Sequence, residues 1–282
     1  MNNKTQGLQD LPLTSLHWLA AHHKSKLIER KKMVEIHGAK QGDTVLDVAC
    51  GPGFWTELLV EQVGPHGHVS GVDIDSELIR YAQESHADLI AQKRVNFRVA
   101  DMRSLPFEDN SFDTVICGNA YNYLSKEELP KAIQEHMRVV RPGGRLSIRT
   151  FDNTMSLYHP VTSTVLLSVM HGMAKNLQQQ RNFDNYLGRK MHGLLTQLSL
   201  GPVTTHTFVT QKTQPLCKWS LEYVQMKALW CAEKADGYCP AEDLKIWCEL
   251  FDPKSPQYIL ARPDFYFNTT EMISLVAKPE VS

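Results

Sequence analysis

The chain has 282 residues, and its 30 lysines and arginines against 31 aspartates and glutamates give a formal net charge of −1. This balance argues against the basic surface that attracts nucleic acid or anionic membranes. The composition is that of an ordinary globular protein with one large or two small domains. The first residues lack the apolar core of a signal peptide, and the six cysteines form no C-x-x-C pair. We therefore expect a reduced, cytoplasmic protein without a membrane span.

Strands and helices are predicted to alternate over the first half of the chain. The predicted strands are 44–48, 69–72, 95–100, 114–117 and 145–150, and the predicted helices are 54–63, 76–84 and 125–140. Asp75 is placed to cap the second of these helices, and Ser125 with Glu128 has the spacing of a capping box for the third. Such alternation requires right-handed crossovers and a parallel sheet with helices on both faces.

Beyond residue 151 additional helical segments interrupt this pattern. They are predicted at 152–182 and from 220 to about 250, with a crossover helix at 185–198 and strands at 203–210 and 265–278. The expected fold is a single α/β domain with a Rossmann-like, doubly wound, mostly parallel seven-stranded sheet. Its core is expected at about 31–151, 183–215 and 263–280. The N-terminal helical segment 1–30 and the insertions at about 152–182 and 216–262 are expected to form a substrate lid.

The turn after the first strand carries the strongest chemical signal. Residues 45–53 read Val-Leu-Asp-Val-Ala-Cys-Gly-Pro-Gly, a buried strand that runs into a glycine turn. The next strand ends in Asp73, about 20 residues further on, where an acid binds ribose hydroxyls in nucleotide sites. The glycine spacing departs from the dinucleotide pattern G-x-G-x-x-G, and the turn lacks the lysine of a P-loop. The site therefore suits a nucleoside without a phosphate chain.

These residues resemble the class I S-adenosylmethionine-dependent methyltransferases, of the bacterial small-molecule and quinone type. The segments 99–102, 111–119 and 138–146 extend the match, so that five ordered segments cover roughly residues 30–151. The resemblance implies S-adenosylmethionine as cofactor. The cofactor-binding residues that it implies are Asp47 (organising the loop), Gly51, Gly53, Asp73 (ribose), Asp101 and Met102 (adenine), and Gly118 and Asn119 (methionine side). Ala49 stands where many members carry glycine, and it is tolerated if its φ stays negative.

Catalytic residues are less defined, because methyl transfer from a sulfonium needs mainly alignment and exclusion of water. The candidates for contact with the acceptor are Tyr121, Tyr123, His22 and His159, each with an ordinary core or surface role as the alternative. Arg149 either pairs with an acid such as Asp152 or meets an anionic group of the substrate. Adjacent histidines do not share a helix face, and other clusters lack the spacing of metal ligands, so no metal is predicted.

The predicted function is methyl transfer from S-adenosylmethionine to a small, largely apolar metabolite by direct in-line displacement. O-methylation is slightly favoured, with carbon, nitrogen and sulfur acceptors left open. The expected partner is a small-molecule substrate and not nucleic acid. The alternatives are an RNA or protein methyltransferase, and a non-catalytic scaffold protein that binds S-adenosylmethionine.

Overall fold

The computed structural model describes residues 14–180 and 183–280, so the first thirteen residues of the predicted N-terminal segment lie outside the described residues. The first elements are α1 (Leu16–Ser25), α2 (Leu27–His37), β1 (Thr44–Val48), α3 (Thr56–Val63), β2 (His68–Asp73), α4 (Ser76–Ser85), α5 (Ala87–Ala91), β3 (Val95–Val99) and β4 (Phe112–Gly118). They are followed by α6 (Glu128–Val139), β5 (Val140–Phe151), β6 (Leu157–His159), α7 (Ser163–Gln180), α8 (Leu187–Leu198), β7 (Val203–Thr213), α9 (Lys218–Ala235), α10 (Ala241–Phe251) and β8 (Tyr266–Ala277).

The chain divides into two compact units. The first, here called the helical unit, consists of residues 14–27, Phe151–Tyr186 without 181 and 182, and Phe208–Glu271. The second, here called the sheet unit, consists of Ile28–Thr150, Leu187–Thr207 and residues 272–280. The expected action of the N-terminal segment and the two insertions as a substrate lid stays a prediction.

The sheet unit has the strand order β3-β2-β1-β4-β5-β8, and β7 pairs with β8. The pairs β1–β2, β1–β4, β2–β3 and β4–β5 are all parallel. The predicted Rossmann-like, mostly parallel sheet with crossover helices is confirmed. Because the strands from β1 to β5 run in the same direction, their carboxyl ends meet at one edge of the sheet.

Alternate residues of β1 supply two apolar cores, one on each face of the sheet. Leu46 and Val48 belong to a buried cluster with Ile133 of α6 and Met191 of α8. Val45, one residue away along the strand, belongs to a second cluster with side chains of α2, α3 and α4. Complete burial of each such side chain contributes about 1.5–3 kcal/mol. The helices therefore cover both faces, as the alternation predicts.

The helical unit contains the strand that the sequence did not predict. In the described residues the sheet counts eight strands instead of seven. The additional strand, β6, pairs antiparallel with the start of β8, and its central Tyr158 is buried between exposed Leu157 and His159. Three residues are too few to show a strand periodicity in sequence, and this one lies in a segment that was predicted to be helical.

Aromatic side chains form the core of the helical unit. The ring of Tyr158 lies 5.2 Å from Trp247, 5.4 Å from Phe251 and 4.8 Å from Phe267, centroid to centroid. All four side chains are buried. Among the described helices, none combines the length and the apolar character that a membrane span requires.

Candidate functional site

The turn after β1 is held at the carboxyl edge of the sheet by hydrogen bonds to β2. The Cys50 N–H donates to the Val72 carbonyl at 3.0 Å. The Gly51 N–H donates to Oδ2 of Asp73 at 2.8 Å, and the Asp75 N–H donates to Oδ1 of Asp73 at 2.9 Å. The Asp73 carboxylate thus links the turn to the end of β2. Burial raises the pKa of Asp73, and the two N–H donors oppose this rise.

The backbone of the turn is left-handed at three positions. The φ values are +56° at Ala49, +55° at Gly51 and +77° at Gly53. The condition of a negative φ, under which alanine is tolerated, is therefore not met at Ala49, and an alanine there carries a cost of about 1–2 kcal/mol. At Gly53 a Cβ would lie 3.0 Å from the rings of His86 and Phe97. Both the conformation and the lack of space account for glycine at this position.

Asp47, which is predicted to organise the loop, is buried at the end of β1. Its side chain is 4% exposed, and its Oδ2 has no hydrogen-bond partner among the described residues. The hydrogen bonds that hold the turn come from Val72 and Asp73 instead. Burial raises the pKa of Asp47 to about 7, although the positive charge of Arg149 lowers it. Buried polar oxygens normally have a hydrogen-bond partner, so Oδ2 of Asp47 has an open acceptor position.

A tryptophan and two arginines, which the sequence did not connect, lie beside this carboxyl. The guanidinium carbons of Arg30 and Arg149 each lie 4.8 Å from the ring centroid of Trp55. Both arginines act electrostatically on Asp47. Trp55 follows the glycine turn directly, which is the only signal that sequence offers. Arg30 comes from α2 and Arg149 from β5, so tertiary structure alone unites them.

The end of β4 packs closely on Arg149. A Cβ at Gly118 would lie 2.7 Å from Nη2 of Arg149. The Asn119 N–H donates to the Arg149 carbonyl at 2.7 Å, and Asn119 itself has a φ of +60°. Gly118 and Asn119 thus lie at the same sheet edge as Asp47 and the glycine turn, because β1, β4 and β5 are adjacent and parallel.

The segment after β3 is fixed by a chain of polar contacts. The Asp101 carboxylate accepts from Arg103, with Nη2 at 2.6 Å from Oδ2, and Arg103 lies 2.7 Å from Glu128. Hydrogen bonds from Arg103 lower the pKa of Asp101. The Met102 side chain packs against the core, while its carbonyl accepts from Nε2 of His136 at 2.9 Å.

Tyr121, a candidate for contact with the acceptor, lies in the core of the sheet unit. Its side chain is 0% exposed, and its hydroxyl is bonded to Nδ1 of His136. Since the other nitrogen of His136 donates to Met102, Nδ1 is the acceptor and the tyrosine is the donor. Burial lowers the pKa of His136 to about 4, so the ring is neutral at neutral pH. Tyr123 is half-buried, and burial raises the pKa of its hydroxyl.

The two candidate histidines both belong to the helical unit. His22 stacks on Trp18 and Tyr223, with ring centroids 5.8 and 5.3 Å away. His159 is an exposed side chain whose Nε2 lies 3.6 Å from Asp264. This contact is exposed to solvent, whereas a base in a water-excluded site is enclosed, and the predicted contact of His159 with the acceptor stays a prediction. Clusters of three or more potential metal ligands are absent from the part of the chain that the structure describes.

Comparison with known proteins agrees with the geometry of this edge. Residues 45–144 match the family model described as a methyltransferase domain, and this range runs from β1 into β5. Over this range the chain is similar to a methyltransferase domain. The glycine turn, Asp73 and the segment at Asp101 all lie within it.

Two curated relatives resemble about half of the chain. A 2-phytyl-1,4-naphtoquinone methyltransferase of Nostoc punctiforme is 35% identical over 124 residues, which cover 44% of this chain and 53% of the relative. A demethylmenaquinone methyltransferase of Staphylococcus aureus is 34% identical over 146 residues, which cover 50% of this chain and 57% of the relative. The chain thus spans about half the length of the curated relatives that it matches.

Solved structures share the fold over most of the chain. The YcgJ protein of Bacillus subtilis superposes with a TM-score of 0.56 at 17% identity and covers 92% of this chain and all of that one. A geranyl diphosphate C-methyltransferase of Streptomyces coelicolor A3(2) has a TM-score of 0.50 at 15% identity, with 88% of this chain and 78% of that one covered. At these identities the likeness describes the methyltransferase fold alone.

Proposed function

We propose that the chain is an enzyme that transfers a methyl group from S-adenosylmethionine to a small molecule. The observation that carries this proposal is the left-handed turn of residues 49–53, which the Asp73 carboxylate ties to the carboxyl edge of the sheet. When bound, S-adenosylmethionine supplies a methyl group on a positively charged sulfur, with a neutral thioether as leaving group. The protein must therefore bind and orient the reactants and exclude water from them.

The ribose and methionine parts of the cofactor have fitting partners at this edge. Each oxygen of Asp73 accepts one backbone N–H, and the remaining lone pairs suit the two ribose hydroxyls. Gly51 and Gly53 allow a ligand to approach the backbone, because neither carries a side chain. Gly118 and Asn119 are proposed to line the methionine side.

Asp47 fits the positive charge of the methionine ammonium group. Its buried Oδ2 lacks a partner in the described residues, and a cation beside it favours its ionised form. Arg30 and Arg149, which both lie against Trp55, supply positive charge for the methionine carboxylate. The same small region thus offers both signs of charge to a zwitterionic group.

Asp101 and Met102 are proposed to hold the adenine. Arg103 fixes the Asp101 carboxylate, and His136 fixes the Met102 carbonyl, so this segment is ordered before a ligand arrives. Preordered contacts reduce the entropy that binding must overcome. The Asp101 carboxylate keeps lone pairs for the adenine amino group, and the Met102 side chain offers a polarisable surface to the ring.

The acceptor is proposed to be a small, largely apolar molecule of the quinone type. The names of the two curated relatives support this class, and the net charge of −1 disfavours nucleic acid. Transfer to oxygen is the form that we favour. No general base is assigned, because alignment of the two reactants itself provides about 7–11 kcal/mol.

The proposal is tested by adding S-adenosylmethionine with a labelled methyl group to the full chain and a metabolite extract. We expect label in small apolar products, whose mass spectra give the methylated atom. Label in RNA or protein alone would contradict the small-molecule acceptor. Calorimetric binding of the cofactor without any incorporation would favour a scaffold protein.

A further inference from the structure

Trp55, the second residue after the glycine turn, is the side chain on which two buried arginines of the sheet unit converge. The guanidinium carbons of Arg30 and Arg149 each lie 4.8 Å from the centroid of its ring. Arg30 is 5% exposed and Arg149 is 4% exposed. Guanidinium groups are always charged in proteins, so two like charges are buried beside one indole ring. The face of an indole carries partial negative charge and therefore attracts both of them.

The position of Trp55 is itself fixed by its neighbours. Its carbonyl accepts from the Leu59 N–H at 2.9 Å, in the first turn of α3. The ring of His37 meets the indole at an interplanar angle of 80°, with the centroids 5.4 Å apart. Nδ1 of His37 in turn lies 2.6 Å from Oγ of Ser147 on β5. These contacts from α2, α3 and β5 restrict the indole to one orientation.

Arg149 joins this ring to the end of β4. A Cβ at Gly118 would lie 2.7 Å from Nη2 of Arg149, so the glycine leaves the space that the guanidinium occupies. With its amide oxygen turned towards Arg149, Asn119 accepts from Nη1 at 3.0 Å. Gly118 and Asn119 are the residues proposed to line the methionine side. The guanidinium thus contacts both the indole and the segment proposed to face the methionine.

We propose that Trp55 is a positioning residue that orients Arg30 and Arg149 towards the carboxylate of the methionine part of the cofactor. The inference rests on the proposed function and extends it, because no direct contact with the ligand is assigned to Trp55. A planar guanidinium binds a carboxylate through paired N–H groups, and this pairing requires a fixed orientation. A rigidly held ring that packs against both guanidinium groups provides that orientation. Trp55 should therefore matter for ligands that carry the carboxylate and not for those that lack it.

The test compares S-adenosylmethionine with decarboxylated S-adenosylmethionine, which keeps the sulfonium and the amino group but lacks the carboxylate. Calorimetry with the full chain is expected to show about tenfold weaker binding of S-adenosylmethionine by Trp55→Leu than by the wild type. The affinity for the decarboxylated compound should change by less than about twofold. Trp55→Phe keeps an aromatic face and should restore most of the lost affinity. A merely structural role of Trp55 would lower both affinities together.

Trp219→Leu is the matched control, because Trp219 also lies beside two cations. Nζ of Lys24 is 4.1 Å and Nζ of Lys218 is 5.2 Å from its ring centroid. Trp219 belongs to the helical unit, and Trp219→Leu should bind both compounds as the wild type does. Urea denaturation checks that each variant is folded.

Tryptophan fluorescence gives a second measurement that needs only the wild type and Trp55→Phe. Because indole emission responds to nearby charge, S-adenosylmethionine should change the emission of the wild type more than the decarboxylated compound does. Trp55→Phe should lose this difference. Equal losses of affinity for the two compounds in Trp55→Leu, no loss for either, or equal emission changes in the wild type would overturn the positioning role. Absence of S-adenosylmethionine binding to the wild type would overturn the proposed function instead.

Discussion

The Asp73 carboxylate holds the glycine turn and is also the group proposed to bind the ribose. It accepts the N–H groups of Gly51 and Asp75, one on each oxygen. Asp73→Ala removes both acceptors and the partner proposed for the ribose. Hydrogen bonds to charged groups are worth about 1.5–3 kcal/mol each, so we expect affinity for S-adenosylmethionine to fall at least tenfold. Calorimetry measures this, with Asp88→Ala, an exposed aspartate on α5, as the matched control. Unchanged affinity in Asp73→Ala would contradict the ribose assignment.

Ala49 is a strained residue in the same turn, at a φ of +56°. Glycine adopts this conformation without a Cβ clash, but it also makes the unfolded chain more flexible. We expect Ala49→Gly to raise the free energy of unfolding by about 0.5–1 kcal/mol. Ala120 has a φ of −103°. Ala120→Gly should therefore lower the free energy of unfolding by a similar amount. Urea denaturation of both variants measures the contrast, and equal signs would argue against the strain.

Tyr121 is predicted to stabilise the fold without taking part in methyl transfer. Tyr121→Phe leaves Nδ1 of the buried His136 without its donor. An unsatisfied buried acceptor costs about 1–3 kcal/mol, which urea denaturation should show as a loss of stability. The rate of methyl transfer by the folded variant should stay near that of the wild type. Tyr81→Phe, at a half-buried tyrosine of α4, is the control and should change neither quantity. A selective loss of rate in Tyr121→Phe would restore it as an acceptor contact.

At the scale of elements, the start of α6 has the hydrogen bonds that its local sequence predicts. The Glu128 N–H donates to Oγ of Ser125 at 3.1 Å, and the Ser125 N–H donates to Oε2 of Glu128 at 3.0 Å. This reciprocal pair is the predicted capping box. Ser125→Ala should lower the free energy of unfolding by about 1 kcal/mol. Ser85→Ala, at the exposed end of α4, removes a serine hydroxyl without a cap and should have a smaller effect. An equal loss in the two variants would mean that the box contributes little.

Elements with a long or well-marked pattern were predictable, and short ones were not. The strands β1 to β5 lie where the sequence predicts them, because each contains a run of buried apolar residues. The Asp75 cap in addition marks where β2 has ended and α4 begins. The short elements β6 and α5 were missed, since three and five residues carry no usable period.

The site follows the same division between local and tertiary information. The turn and Asp73 are adjacent to strands whose pairing the sequence predicts. The φ of Ala49, the unsatisfied oxygen of Asp47 and the contact of Trp55 with two arginines all depend on distant segments. These features depend on burial and on long-range contacts, and a local sequence pattern predicts neither.

At the scale of the whole molecule, the buried Asp47 makes global stability depend on pH. Burial raises the pKa of Asp47 from the ordinary aspartate value of 3.8 to about 7. The folded state therefore keeps a proton that the unfolded chain has already lost between these two values. Stability from this group is present below about pH 4 and is lost as the pH rises through 7, by an amount on the order of 4 kcal/mol. His136 has the opposite effect, because its pKa falls from 6.5 to about 4 in the folded state and stability rises with pH in that interval.

The difference between the wild type and Asp47→Asn isolates the first contribution from the second. We expect stability relative to the wild type to increase from pH 4 to pH 8 in Asp47→Asn, as measured by urea denaturation at each pH. Asp264→Asn is the control, because Arg262 holds the pKa of Asp264 at about 2, below this interval.

The titration of Asp47 should also appear in the affinity for S-adenosylmethionine. A cation bound beside Asp47 favours its ionised form, so affinity for S-adenosylmethionine should rise as the pH passes through 7 in the wild type. It should stay flat in Asp47→Asn, and a rise of equal size in that variant would assign the titration to another group.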